Sequence, residues 1–587
     1  MIKERIKALQ SVLKQEKIDL YYLNTSDYHM SEYVPEYFKT IAYFSGFTGS
    51  LATLLVSQKD AFIFVDGRYH TQADKQCSIH GIKVIKLGTK DALEPLDFIK
   101  KFFKNGIIGL DGKRTSIKFV KNLINAHITV KSIDLYSELI ENRTPLKKGL
   151  IYELDDKYTG LPRKKKLELI DFCLKGKCHI VNNLESIAYI LNLRSSDVLY
   201  TPVFLSYLVF LNNNVYLFVD KERIEEKAIE GLYADGVVIR PYDSYYDFLS
   251  LIKTEIIVLD ENKVNYETFL KIKDGHNRII KARGFIEEMK SIKNSVEQHN
   301  FKLAHIYDGV AMLRFLMWID EIDKTKVNEY DVAQKINEFR LSYKAKDISF
   351  NSIVAYNENA AIIHYSPDVD NSKRLNNRGI LLLDTGGQYL EGTTDITRTI
   401  ALGPVSNEVK KNFTLVLKSM FNLSSTVFIK GTNGYQLDIV ARKDLWAEGL
   451  NYMHGTGHGV GNFLSVHEGP FNIRYQKTSE ANESIPIKPG MIMSDEPGIY
   501  FENRYGIRCE NMLLCVKDNT SEFGEFYKFE TLTLVPFDRR LIDKKYLDDK
   551  TIKLIDDYHQ RIYDTLTPYL NEEETKYLRR LTEKLWK

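Results

Sequence analysis

Residues 380–400 read ILLLDTGGQYLEGTTDITRTI, two apolar strand candidates around a Gly386-Gly387 turn, with Asp384 closing the first and Asp395 inside the second. Alternation along the second strand points Asp395, Thr397 and Thr399 to one face, and the hairpin can bring Asp384 close to Asp395. Two carboxylates then converge. Taken alone, the same residues also fit a turn-forming Asp384 and a satisfied strand Asp395.

Downstream, residues 454–470, HGTGHGVGNFLSVHEGP, combine glycines that let backbone approach a ligand closely with the imidazoles of His454, His458 and His467. The spacing imposes no single metal geometry. Next, MIMSDEPGIY (491–500) puts Glu496 at the end of an apolar strand before a Pro-Gly turn, and GIRCENMLLC (506–515) puts Glu510 within another strand. Period two sets Arg508 beside Glu510, and an Arg508–Glu510 ion pair would satisfy a carboxylate on an apolar strand. As a set, four carboxylates and a histidine match two divalent cations, whereas the same carboxylates clustered without metal repel one another in a partly dry cleft.

With 587 residues the chain exceeds what one hydrophobic core supports, so several domains are expected. No repeat or low-complexity stretch marks the boundaries; changes of pattern do. Residues 1–148 alternate helices with β-rich runs such as IDLYYLN, ATLLVS and AFIFVDGRY, beginning with a helix that carries Ile2, Ile6, Leu9 and Leu13 on one face. Residues 149–290 form a second α/β block with strand candidates HIVNN, VYLFVD, GVVIRPY and IIVLD. Residues 291–537 open on a helix whose Leu303, Ile306, Val310, Leu313 and Met317 define one buried face, then turn strand-rich. Residues 538–587 are a helical extension in which Ile552, Ile555, His559, Ile562 and Leu566 step at helical intervals.

Basic and acidic side chains, 81 against 79, nearly cancel, which offers no argument for nucleic acid and suits a small neutral or zwitterionic substrate. The basic run Arg163–Lys166 reads as a solvated helix face. No apolar run approaches the roughly 18 residues of a membrane span, and no signal peptide is evident. Five cysteines, with Cys173 and Cys178 in neither redox nor zinc spacing, read as reduced thiols, so the cytoplasm is the expected compartment.

The ordered set Asp384, Asp395, His458, Glu496, Glu510 resembles the pita-bread metallopeptidases: methionine aminopeptidase, prolidase and aminopeptidase P. AIIHYSP (361–367), the segments above, and upstream DYHMSEY (27–33), FSGFTGS (44–50), DGRY (66–69), YTG (158–160) and LNLRSSDVLYTPVFLSY (191–207) are similar to the long, three-domain Xaa-Pro aminopeptidases. The resemblance implies a multidomain α/β and α+β chain, two creatinase-like domains followed by a pita-bread catalytic domain. It implies a metal-dependent exopeptidase that cleaves the N-terminal Xaa-Pro bond through a metal-bridging hydroxide, on peptides with proline at position two, and that works as a homodimer.

By resemblance, Asp395 and Glu510 bridge two ions, Asp384 holds one, and His458 and Glu496 hold the other. The carboxylate-rich set favours Mn2+, with Co2+, Fe2+ or Zn2+ as alternatives. Glu496 is the expected general base, His364 stabilises the tetrahedral intermediate, and His467 orients the substrate. His454 lines the proline pocket, Arg508 supports Glu510 or a substrate carbonyl, and Arg68 of DGRY lies near the substrate entry, from the same subunit or across the dimer. Cys509, Asn351, Asn359 and Thr201 depart from the family pattern without removing a ligand. The rival functions are a prolidase-type dipeptidase, which fits three blocks poorly, and a non-catalytic pita-bread binding protein, whose relatives have lost ligands that this chain keeps.

Overall fold

Each β-rich run of the N-terminal half finds a place in one of two mixed sheets. The computed structural model describes residues 1–281, 284–477 and 481–586. They divide into two units, Met1–Asp156 with Leu161–Glu287, and Lys157–Gly160 with Glu288–Lys587.

In the first unit the expected N-terminal helix spans Ile2–Gln15 and buries Ile6, Leu9 and Leu13. The first sheet orders its strands Lys83–Lys86, Ala61–Val65, Thr53–Ser57, Leu20–Asn24, Ile107–Leu110, Thr129–Ser132. The second runs Val237–Arg240, Asn214–Phe218, Tyr207–Leu211, Cys178–Val181, Ile256–Leu259, Arg278–Lys281. From their first-named edge, both sheets pair parallel, antiparallel, antiparallel, parallel, parallel. A topology is therefore used twice where the sequence showed no repeat: a shared strand order needs only apolar alternation and turns in the same places, not similar residues.

The basic run corrects another expectation. Lys164 and Lys165 are exposed, but Arg163 and Lys166 are buried. Arg163 pairs with Asp235 at 2.8 Å and Glu153 at 3.2 Å, and Lys166 donates to the Tyr189 carbonyl at 2.8 Å and to Asn192 at 2.7 Å. Residues three apart share a helix side, so the run has an inner and an outer half.

The second unit is organised around the helix Ser295–Glu321, started by a capping box between Asn294 and Glu297. A single buried face understates it. Phe301, Ala304, Val310, Met312, Leu313, Phe315, Leu316 and Ile319 are all buried, whereas Leu303, Ile306 and Met317 are half-buried. The helix feeds four separate apolar clusters, so packing on several sides overrides the amphipathic pattern. The helix Asp549–Leu566 buries Ile555, His559, Ile562 and Leu566 as expected, and its apolar residues join the cluster that contains Ile507 and Cys509.

The strand Ile380–Thr385 pairs antiparallel with Ile396–Ala401, Asp384 opposite Thr397. Gly386-Gly387 is not the turn between them: Gly387–Tyr389 and Gly392–Thr393 leave to form a second small sheet with Asp347–Ile348, so Asp395 lies just before its strand. Glu510 likewise lies between strands, after Tyr505–Arg508 and before Asn511–Ser521.

Candidate metal centre

Three backbone features bring distant ligands to one place. Glu510 N–H donates to the Thr397 carbonyl at 3.1 Å, and Thr397 Oγ1 donates to Glu510 Oε2 at 2.8 Å, fixing Glu510 to the strand that follows Asp395. Glu496 N–H donates to the Thr456 carbonyl at 2.8 Å, and Ser494 Oγ accepts from His458 N–H at 3.0 Å. Glycine allows that second approach: a Cβ on Gly457 would stand 2.0 Å from the Ser494 carbonyl oxygen.

As a result Asp395, His458 and Glu510 each present a ligand atom within 4.8 Å of the others. His458 Nε2 lies 3.4 Å from Asp395 Oδ2 and 3.6 Å from Glu496 Oε1. Its Nδ1 faces the Gly459 carbonyl at 3.0 Å, an acceptor only, so Nδ1 carries a proton in either state and the lone pair of the neutral ring falls on Nε2, the atom aimed at the carboxylates. Asp384 Oδ1 is buried with no hydrogen-bond partner among the described residues, a donor atom suited to a cation. The five residues fit a pair of divalent ions: four carboxylates, one suitably oriented imidazole and, among the described residues, no ion pair from Glu510 to a basic side chain.

Electrostatics say the same. Burial raises the pKa of Glu510 well above the usual carboxylate range, and Asp395, Asp384 and Glu496 add to it. Burial raises Asp384, with Arg508 opposing and Asp395 adding, and it raises Glu496 against the pull of His458 and Arg508. For His458 burial works downward, but Asp395 and Glu496 outweigh it and hold the imidazolium up at about 9. In the metal-free site His458 is therefore protonated at neutral pH, and a cation must displace that proton. Metal affinity is expected to rise with pH up to about 9, and uptake at pH 7.5 to release at least one proton per chain from His458. Calorimetry in buffers of different ionisation enthalpy measures this; uptake with no proton release would refute the assignment.

The remaining residues surround this core. Arg508 does not pair with Glu510, as strand periodicity suggested. Its Nη2 donates to Asp384 Oδ2, its Nε to Thr397 Oγ1 at 3.2 Å and its Nη1 to Tyr500 Oη at 2.8 Å. The partner comes from a strand of another sheet, 124 residues earlier, and a same-strand pattern has no access to it. Tyr500, held up at about 12 by burial, was missed by sequence reasoning, although it follows Glu496 at an even spacing in the EPGIY segment. Its hydroxyl also meets His454 Nε2 at 2.8 Å.

His454 sits between the rings of Tyr452 and Tyr500, with Nδ1 3.9 Å from Glu496 Oε2. Its loop is clamped by the buried Arg442, which donates to the Tyr452 carbonyl at 2.7 Å and the His454 carbonyl at 2.8 Å. The His467 ring stands perpendicular to that of His458, centroids 4.4 Å apart. The next residue, Glu468, is buried between Lys290 at 3.0 Å and Lys293 at 2.6 Å, an ion triad that fixes the loop. His364 lies half-buried in a turn after the short helix Asn357–Ala361, whose Ala360 carbonyl closely approaches Gly506 of the strand that carries Arg508. Arg68 belongs to the first unit, where it is bound bidentately by Asp66 at 2.9 and 2.7 Å.

Family profiles match four stretches of the chain. The profile of metallopeptidase family M24 matches residues 299–517, and that of the C-terminal region of peptidase M24 matches 525–585. Creatinase/prolidase N-terminal domain profiles match residues 5–143 and 142–297. The chain is 34% identical to a probable Xaa-Pro aminopeptidase P of Tuber melanosporum over 98% of both chains. It is 34% identical to another of Laccaria bicolor, over 97% of this chain and 91% of the relative. The solved X-prolyl aminopeptidase of Caenorhabditis elegans, described as a cytosolic enzyme with a di-nuclear active site, superposes with a TM-score of 0.93 at 29% identity, covering all of both chains.

Proposed function

Since the chain belongs to metallopeptidase family M24, among its Xaa-Pro aminopeptidase P proteins, we propose that it removes the N-terminal residue from peptides whose second residue is proline, at a centre that holds two divalent ions. The observation that carries this is the convergence of Asp395, His458 and Glu510, with Asp384 and Glu496 against them. When bound, two divalent ions lower the pKa of water and polarise the scissile carbonyl, so no protein nucleophile is needed.

Asp384, Asp395, His458, Glu496 and Glu510 would hold the two ions, with Asp395 and Glu510 in the role of ligands shared by both. Manganese suits a carboxylate-rich set with one imidazole better than cobalt, iron or zinc does. Glu496 takes a proton at its carboxylate from the attacking water and delivers it to the proline nitrogen, which as a tertiary amide has no hydrogen of its own. His364 stabilises the charge that develops on the carbonyl oxygen. His467 orients the substrate backbone, and His454, flanked by tyrosine rings, lines the proline pocket. Arg508 acts through Asp384 and Tyr500, and Arg68 is assigned to substrate binding on the resemblance of its DGRY segment.

The domains are set at 1–148, 149–290, 291–537 and 538–587, and the cytoplasm is the proposed location. Among the described residues no helix is long and apolar enough to cross a membrane, and the near-zero net charge supplies no surface argument for nucleic acid. The homodimer is supported by an exposed apolar stripe of Tyr435, Ile439 and Trp446 along the helix Gly434–Ala447. Trp446→Glu should convert a sedimenting dimer to monomer; a monomeric wild type would refute the assembly.

The defining experiment is hydrolysis of a Gly-Pro-containing tripeptide with manganese. Efficient tripeptide cleavage with little dipeptide activity is expected. The reverse preference would make the chain a prolidase, and no cleavage of either by metal-loaded protein would leave only a binding role.

A further inference from the structure

Arg398 is fully buried in the strand Ile396–Ala401 and makes no ion pair with a carboxylate among the described residues. Its guanidinium is held by neutral oxygens instead. Nη1 donates to the carbonyls of Thr397 at 2.9 Å and Glu510 at 2.6 Å. Nη2 donates to Asn511 Oδ1 at 2.8 Å, the Val535 carbonyl at 2.7 Å and Tyr558 Oη at 2.9 Å. The ring of Phe537 covers its other side, 3.9 Å from the guanidinium carbon.

Two of those acceptors belong to the metal centre's own backbone. Thr397 is the residue whose hydroxyl donates to Glu510 Oε2, and its carbonyl is shared by Arg398 and by Glu510 N–H. Tyr558 comes from the C-terminal helix Asp549–Leu566, and its hydroxyl lies 3.0 Å from the Val535 carbonyl and 3.1 Å from that of Thr533. A chain of direct contacts thus runs from the C-terminal extension through Arg398 to the peptide groups on both sides of the Glu510 carboxylate. A buried cation among carbonyls is costly unless every N–H is directed, so this arrangement is rigid.

We propose that the C-terminal helix is a positioning element of the metal centre: Tyr558, through Arg398, sets the Thr397 and Glu510 peptides and with them the angle at which Glu510 meets the ions. The inference rests on the two-ion reading of the site. The aromatic ring of Tyr558 packs against Phe537 and Phe421, so the ring serves the core while the hydroxyl serves the polar chain.

Tyr558→Phe separates the two. Chelator-stripped full-length protein is titrated with Mn2+ by calorimetry, well below its melting temperature so that lost stability does not register. Tyr558→Phe should bind roughly tenfold more weakly, the scale on which groups that orient metal ligands act, and its manganese resonance spectrum should show altered coupling between the ions. Arg398→Lys, which keeps the charge but not the fork, should weaken binding further. Leu566→Ala, a core truncation on the same helix, should lower the melting temperature and leave affinity unchanged. Wild-type affinity in Tyr558→Phe, or an equal loss in Leu566→Ala, would overturn the proposal by making the helix scaffold only. Wild-type protein that takes up no manganese would bring down the two-ion reading and this inference with it.

Discussion

Asp395→Ala is expected to abolish metal uptake and turnover together. Asp395 is one of the three residues whose ligand atoms converge, and it stands 3.4 Å from Nε2 of His458. As the proposed bridge it serves both ions, so its loss does not leave a working half-site. Turnover should fall by more than the ~10²–10³ that removal of a single electrostatic donor costs. Misfolding can be separated from this effect. In the metal-free protein Asp395 raises the pKa of Asp384, Glu496 and Glu510 by repulsion, and its removal relieves that cluster. The stripped variant should therefore melt within a few degrees of the stripped wild type while metal analysis finds no bound ion. Full metal content with full turnover in this variant would refute the site.

Glu496→Gln should be the next most damaging change, and by a different route. With its side chain 20% exposed, against 12% for Asp384 and 6% for Asp395, Glu496 is the carboxylate most open to a substrate. It lies beside His458, with Oε1 3.6 Å from Nε2, where a carboxylate that first accepts and then returns a proton is needed. Glutamine keeps the shape and a ligating oxygen but carries no transferable proton. The rate constant kcat should drop by about 10²–10⁴ with KM changed far less, and the acidic limb of the pH profile should vanish. A kcat within tenfold of wild type, with that limb intact, would assign the proton transfer to another group.

Much of this site was legible before any coordinates, and for a definite reason. Asp384, Glu496 and Glu510 interrupt or end apolar strands, where a carboxylate needs a partner, and glycines beside His458 announce close backbone approach. What strand periodicity could not supply was the identity of partners. It named Glu510 as the mate of Arg508 because the two share a strand face, yet the fold delivers Asp384 from a strand 124 residues away. It also read Gly386-Gly387 as a hairpin turn, because it had no view of the Asp347–Ile348 strand that draws Gly387–Tyr389 into another sheet.

The sequence by itself determined the candidate ligand set: which residue types are offered to a metal, in what order along the chain, and which runs form strands and helices, since these follow from local pattern and charge. The tertiary structure alone decided who meets whom. Tyr500 and Arg508 join Asp384 to His454, Tyr558 reaches Glu510 through Arg398, and two sheets share one strand order without a repeat. The physical reason is that periodicity assigns a side chain to a face, whereas its partner across that face is set by packing between segments far apart in the chain.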